Sequence, residues 1–164
     1  MRDALRALPA KRRGWALFFA WMSVLCMLFI WSNSLDSREQ SLAKSSLAES
    51  LVRPVLLALP VPQWHTDEAV THITRKLAHF GEFFLLGALL MAFAWSMRPA
   101  MRMAWPWLLA ICLAVAAADE LLQSLSDRAP MLQDVLLDMA GAVAGLGFVA
   151  ALQAAFGRGE GQHA

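Results

Sequence analysis

Charge is scarce in this chain of 164 residues, and so is cysteine. Only 16% of the residues are charged, whereas soluble domains carry about 25%. The formal net charge of +1 argues against the basic surface of a nucleic-acid-binding protein. The two cysteines, Cys26 and Cys112, each lie inside an apolar run without CxxC spacing. That placement argues against a disulfide framework and against a cysteine zinc site.

Apolar residues take the place of the missing charge. Hydrophobic residues make up 59% of the chain, and the mean hydropathy is +0.50. Four apolar stretches, at about 14–35, 77–97, 103–125 and 132–156, can each cross a bilayer, which takes about 20 helical residues. The first is too long for the apolar part of a signal peptide, and no small-residue cleavage site follows it. The sequence therefore predicts an all-α membrane protein, a bundle of four transmembrane helices with a retained first anchor.

The distribution of cations predicts the orientation of this bundle. Arg2, Arg6, Lys11, Arg12 and Arg13 all precede the first stretch, which favours a cytoplasmic N-terminus. We expect a basic cytoplasmic segment at 1–13, one transmembrane domain at 14–157 and a short cytoplasmic tail at 158–164. Because successive spans cross the membrane in opposite directions, the loop at 33–74 should then lie on the extracytoplasmic side.

The extracytoplasmic loop is predicted to be partly helical. The segment "DSREQSLAKSSLAESLV" is weakly amphipathic, and a helix there should end within the following "RPVLLALPVP", which Pro54, Pro60 and Pro62 interrupt. Thr66, followed by two acids, is typical of a helix N-cap. The apolar stripe beyond it indicates that this helix runs directly into the second span.

Three of the predicted spans carry polar residues at the same depth. Within each span these residues recur at steps of three or four, so that each set shares one helix face. A rise of about 1.5 Å per residue places the inner ones on the order of 10 Å inside the outer boundary. Ionisable residues at that depth usually face a bundle interior or a cavity rather than lipid. The predicted cluster consists of Lys76, His79, Glu82, Asp119, Glu120, Gln123, Arg128, Asp134 and Asp138.

Each of these residues alone has a simpler interpretation. Lys76 can snorkel to the headgroups, and Asp119 or Glu120 can mark the true end of the third span. Their coincidence at one level favours a cluster. So many carboxyl groups in one layer need cations nearby. We expect Arg128 or Lys76 to be the counter-ion, and arginine is preferred because it stays charged and can hold a carboxylate in a bidentate manner.

The histidines and acids of this cluster include residue types that bind metal ions. His65, His72 and His79 recur every seven residues, which on a helix separates neighbours by about 10 Å, too far to share one ion. His79 with Glu82, Asp119 and Asp138 is a set that can bind a divalent ion, but hydrogen-bonded pairing with Lys76 and Arg128 is favoured. The sequence therefore predicts no metal and no cofactor.

Gly141 and Gly145 follow Asp138 on nearly the same face and predict close approach of another helix.

No catalytic residue can be identified from the sequence. It contains no glycine-rich phosphate loop and no G-x-S-x-G motif. Ser124 and Ser126 have no histidine nearby in the chain, so a nucleophilic triad is unsupported.

Three motifs resemble those of the VanZ-like family, a group of small bacterial multi-pass membrane proteins. They are "RKLAHFGEFFLLGALL", "DELLQSLSDR" and "QDVLLDMAGAVAGLG", in this order, and "MLFIWSNSLDSREQS" is similar to the end of the family's first span. Phe83 departs from the tyrosine that members often show, and the connection from Gln123 to Arg128 lacks their usual Pro-Gly. By position, the family's characteristic polar residues correspond to the predicted cluster together with Gly141.

The resemblance implies the bacterial cytoplasmic membrane and a cell-envelope role. The name-giving member is associated with low-level resistance to the glycopeptide teicoplanin. Three functions follow as hypotheses: a protein that binds membrane lipids or lipid-linked envelope precursors, an enzyme using carboxylate and histidine acid–base chemistry on such a substrate, and a small proton-coupled carrier. The carrier requires polar groups near the bilayer midplane, which the inner halves of the spans do not offer. The binding function is favoured, with no nucleic-acid partner and with homo-oligomerisation left open.

Overall fold

The computed structural model describes residues 2–35, 38–61, 64–97, 105–125 and 132–156. Within these ranges the chain forms helices and no strands. The helices are α1 (Arg2–Arg6), α2 (Ala10–Ser34), α3 (Arg38–Ala58), α4 (Asp67–Ser96), α5 (Trp105–Ser124) and α6 (Leu132–Phe156).

Four of the described helices, α2, α4, α5 and α6, are long and apolar enough to cross a membrane. This confirms the predicted all-helical membrane fold. Apolar side chains also cover the outside of the bundle, since Trp21, Leu28, Leu85 and Leu136 are each more than half exposed. Such an outer surface suits contact with lipid and would be unfavourable in water.

Helix α4 begins well before the apolar stretch predicted as the second span. Thr66 caps its N-terminus, because the backbone N–H of Ala69 donates to Thr66 Oγ1 at 3.2 Å. Asp67 and Glu68 occupy the first turn, where negative charge interacts favourably with the helix dipole. The helix therefore runs without interruption into the second span, as the sequence predicts.

Helix α3 lies in the connection between the first two spans and packs against α4. It continues through Pro54 and ends at Ala58, inside the proline-rich segment where the sequence predicts its end. Pro60 accounts for this end, because the residue before a proline disfavours the helical conformation. The side of the membrane on which α3 lies stays a prediction.

Helix α4 is the centre of the bundle and packs most extensively against α6. Gly87 of α4 and Gly141 and Gly145 of α6 make this approach close. A Cβ at Gly87 would collide with the backbone of Ala142, and a Cβ at Gly141 or Gly145 with the backbone of α4. Gly141 and Gly145, which the sequence predicts to allow close approach of another helix, face α4. Gly87 is a third glycine at this close contact.

Candidate functional site

Polar side chains gather at one end of the bundle, where the last turns of α2 and α5 meet the first half of α4 and the start of α6. Helix α5 contributes the most buried set. Asp119 has no exposed surface, and Glu120 and Gln123 are each 6% exposed. Asp138 of α6 is also fully buried. The structure therefore places these predicted cluster residues in the bundle interior rather than facing lipid.

Asp119 is held in position by two hydrogen bonds. The hydroxyl of Ser34, in the last turn of α2, donates to Asp119 Oδ1. Gln123, one turn further along α5, donates from Nε2 to Asp119 Oδ2 at 2.8 Å. The spacing of four residues on α5 makes the second bond local, whereas the first joins two helices. The orientation of this carboxylate is consequently fixed by both α2 and α5.

His79 lies between two buried carboxylates. Its Nδ1 is 3.8 Å from Asp119 Oδ2 and 3.7 Å from Asp138 Oδ1. Both separations exceed the length of an N–H···O hydrogen bond, so they are close contacts of polar groups rather than bonds. The side chain of His79 remains 23% exposed, so the imidazole connects this interior group with the bundle surface.

Asp138 is the least satisfied member of the cluster. Neither of its carboxylate oxygens has a hydrogen-bond partner among the residues that the structure describes. A buried carboxylate without such partners is costly, because desolvation removes the water that would stabilise its charge. The position of Asp138 is therefore unfavourable for the fold on its own.

Lys76 and Asp134 form the outer edge of the site. Lys76 Nζ lies 2.9 Å from Asp134 Oδ1, and the two side chains are 35% and 28% exposed. The ion pair joins α4 to α6. It also means that the lysine, predicted as a counter-ion for the acids, pairs with the outer acid of α6. Arg128, the preferred counter-ion, lies outside the described residues.

Two residues of α2 belong to the site although the sequence-based cluster omits them. Asn33 Nδ2 donates to Glu82 Oε1 at 2.9 Å, and Ser34 contacts Asp119 as described above. A signal for both was present, because Asn33 and Ser34 are polar residues at the end of an otherwise apolar span. Their partners could not be read from that position, which gives depth but not rotation about the helix axis.

One subset of the site has the composition of a metal centre. His79, Asp119 and Asp138 each offer a ligand atom, and these atoms all lie within 4.8 Å of one another. Imidazole nitrogen and carboxylate oxygen are both common ligands of divalent ions. Glu82, predicted as a further member of such a set, instead accepts the hydrogen bond from Asn33.

Comparison with known proteins supports the resemblance seen in the motifs. The family model described as VanZ/LLP1 matches residues 18–153. The matched region contains every described residue of the site, from Asn33 to Asp138, together with the glycines between α4 and α6. No curated protein and no solved structure matches the chain.

Proposed function

The chain belongs to the VanZ/LLP1 family, and we propose that this multi-pass membrane protein binds the headgroup of a membrane lipid or of a lipid-linked cell-envelope precursor. The observation that carries the proposal is the meeting of four transmembrane helices in one polar layer, whose edge at Lys76, Asp134 and His79 is partly exposed. Stability alone does not account for such a layer, since buried ionic groups contribute little net stability.

The chemistry of the exposed edge fits a headgroup that carries both donors and acceptors. The ammonium group of Lys76 can contact a phosphate, while the carboxylate of Asp134 can accept from hydroxyl, amide or amine groups. Because these two groups already pair with each other, a bound headgroup would exchange one ion pair for two contacts. Headgroups of phospholipids and of lipid-linked sugars combine such groups within a few ångströms.

Lipids retained by the purified protein test this proposal. The protein is extracted in a mild detergent, and co-purified lipids are quantified by mass spectrometry for the wild type and for a Lys76→Met, Asp134→Asn double variant. We expect one lipid class to be enriched over the membrane extract and to fall several-fold in the double variant. Arg53→Met with Asp67→Asn is the matched control, because it removes an exposed ion pair between α3 and α4.

Retention at the wild-type level in both double variants would contradict headgroup binding at this site. A loss of lipid in the control as large as in the test variant would show that the retained lipid is held around the outside of the bundle and is not bound at the cluster. The control is matched because both pairs join neighbouring helices by one salt bridge.

An enzyme acting on the same class of molecule is a second candidate, favoured by the position of His79 between Asp119 and Asp138. A histidine beside carboxylates can move a proton during hydrolysis or group transfer. Turnover of a lipid-linked substrate by purified protein, lost in Asp119→Asn, would establish this function and replace simple binding.

The orientation and the phenotype belong to the same proposal. With both termini in the cytoplasm, the site lies at the extracytoplasmic face, where envelope precursors are used. Reporters placed near Ser45 and after Gly157 should then give opposite signals, and equal signals would overturn the orientation. Expression in a susceptible bacterium should raise its teicoplanin resistance. Unchanged susceptibility would contradict a role in teicoplanin resistance. Headgroup binding would still be tested by the lipid measurement.

A further inference from the structure

We propose that His79, Asp119 and Asp138 bind one divalent metal ion, of the class represented by Zn²⁺ and Mn²⁺. The ligand atoms are His79 Nδ1, Asp119 Oδ2 and Asp138 Oδ1, contributed by α4, α5 and α6. The site lies deeper than the edge formed by Lys76 and Asp134. It stands as an inference whether or not that edge binds a headgroup.

The distances within the group fit ligands that share one ion. With metal–ligand bonds of about 2.1 Å, two ligands of a tetrahedral ion lie about 3.4 Å apart. His79 Nδ1 lies 3.8 Å and 3.7 Å from the two carboxylate oxygens, slightly wider than this separation. Shifts of a few tenths of an ångström would bring these atoms to bonding distance, whereas both separations are too long for hydrogen bonds.

Asp138 supplies an independent indication of a ligand. It has no exposed surface, and its two oxygens have no hydrogen-bond partner in the part of the chain that the structure describes. One oxygen faces His79. A divalent ion at this point would compensate the desolvated charge of Asp138 and the repulsion between Asp138 and Asp119, which packing alone leaves in place.

The surroundings of Asp119 resemble the outer sphere of a metal site. Ser34 and Gln123 each donate a hydrogen bond to its carboxylate. Such outer partners orient a ligating group and are a usual part of metal centres. They come from α2 and α5, so the orientation of Asp119 is set before any ion binds. A preoriented ligand lowers the entropy lost on binding.

The donor set limits the kind of ion. One imidazole nitrogen and two carboxylate oxygens suit borderline and hard divalent ions. Cys26 and Cys112 do not compete for the ion, because both belong to the buried apolar core. Three protein ligands leave at least one position for water or for an oxygen of a bound molecule.

Metal content of the tag-free, detergent-purified full chain tests the site. After incubation with Zn²⁺ or Mn²⁺ and removal of excess ion, elemental analysis should give about one equivalent in the wild type. Asp138→Asn and His79→Gln should each lose most of it. His72→Gln and Asp67→Asn remove an exposed histidine and an exposed acid from α4 itself, and both should retain the wild-type content.

The absence of bound ion in the wild type would overturn the proposal and would favour a protein cation as the counter-ion. Metal content that is unchanged in both site variants would overturn it as well, since the ion would then lie elsewhere.

Thermal unfolding of the wild type decides the matter if the site variants do not fold. A chelator should lower the unfolding temperature, and Zn²⁺ or Mn²⁺ should restore it, because an ion that binds only the folded state stabilises it. X-ray absorption of the loaded protein should show nitrogen and oxygen ligands only. No thermal response to chelator or ion, or a first coordination shell that contains sulfur, would refute a site built from these three residues.

Discussion

The two ends of the same helix bundle are built on different physical principles. Along α5, Leu108, Cys112 and Val115 pack into an apolar core, and one turn later Asp119 and Gln123 continue the buried face with polar groups. The apolar end depends on the fit of side chains. The polar end depends on contacts between charged and hydrogen-bonding groups. These contacts are directional, so fewer side-chain arrangements satisfy them.

This difference shows that burial affects the stability of the bundle in opposite ways at its two ends. Dispersion contacts in the apolar core stabilise the helix bundle directly. Buried carboxylates such as Asp138 oppose stability unless something compensates them. The apolar core packs directly beside these carboxylates and holds them in place.

The glycine contacts connect the two ends. Gly141 lies three residues after Asp138, and a Cβ at Gly141 would collide with the backbone of Phe80, the neighbour of His79. The close approach of α4 and α6 therefore sets the distance between the imidazole and this carboxylate.

The largest effect is expected where α4 and α6 meet. Gly145→Leu introduces a side chain whose Cβ alone would overlap with the backbone of Phe84, so the two helices must separate. We expect most of the folded protein to be lost, measured as monodisperse protein extracted from membranes. Gly147→Leu is the control, because a Cβ at Gly147 meets nothing within 4 Å. Similar yields for both variants would contradict the close packing.

A cavity at the apolar end should come next in size. Leu108 is 1% exposed, and Leu108→Ala should lower the free energy of unfolding by about 2–5 kcal/mol, measured by unfolding in detergent micelles. Leu113 lies on the same helix and is 49% exposed, so Leu113→Ala should have a much smaller effect. If the two variants lose equal stability, the described core is not the source of the stability of the bundle.

At the polar end, removing a buried group should raise the free energy of unfolding instead of lowering it. Asp138→Asn keeps the shape of the side chain and removes a buried negative charge, so in chelator-treated protein it should raise the free energy of unfolding by about 1 kcal/mol or more. The measurement is thermal unfolding with and without chelator, since an ion bound by the wild type would reverse the ranking. Asp67→Asn, at an exposed acid, should change little. Destabilisation by Asp138→Asn in the presence of chelator would mean that the carboxylate supports the fold.

The smallest effect is expected at the edge of the polar end. A double-mutant cycle with Lys76→Met and Asp134→Asn should give a coupling energy of about 1 kcal/mol, since the two side chains are in contact and partly shielded. The same cycle at Arg53 and Asp67, whose side chains are 39% and 88% exposed, should give a smaller value. Both are measured as unfolding free energies at low salt. A larger coupling for the exposed pair would reverse the expected order.

Several features of this protein could be predicted because they depend on distance along the chain. The number of spans follows from the length of apolar stretches. The common level of His79, Asp119 and Asp138 follows from the rise of a helix per residue together with the opposite directions of successive spans. The N-cap at Thr66 is a local pattern of residue type, and Ala69 N–H donates to Thr66 Oγ1 in the structure. The spacing of the glycines in α6 is a local pattern as well, and the backbone of α4 lies opposite them.

Rotation and partner choice required the tertiary structure. A helix can turn about its axis without any change in depth, so the sequence could not show that Ser34 reaches Asp119 or that Asn33 reaches Glu82. Nor could it show that Lys76 selects Asp134 over the inner acids. Those pairings depend on how closely α2, α4, α5 and α6 approach one another. That approach is decided by side-chain volumes on all four helices together, above all at Gly87, Gly141 and Gly145, where backbone meets backbone.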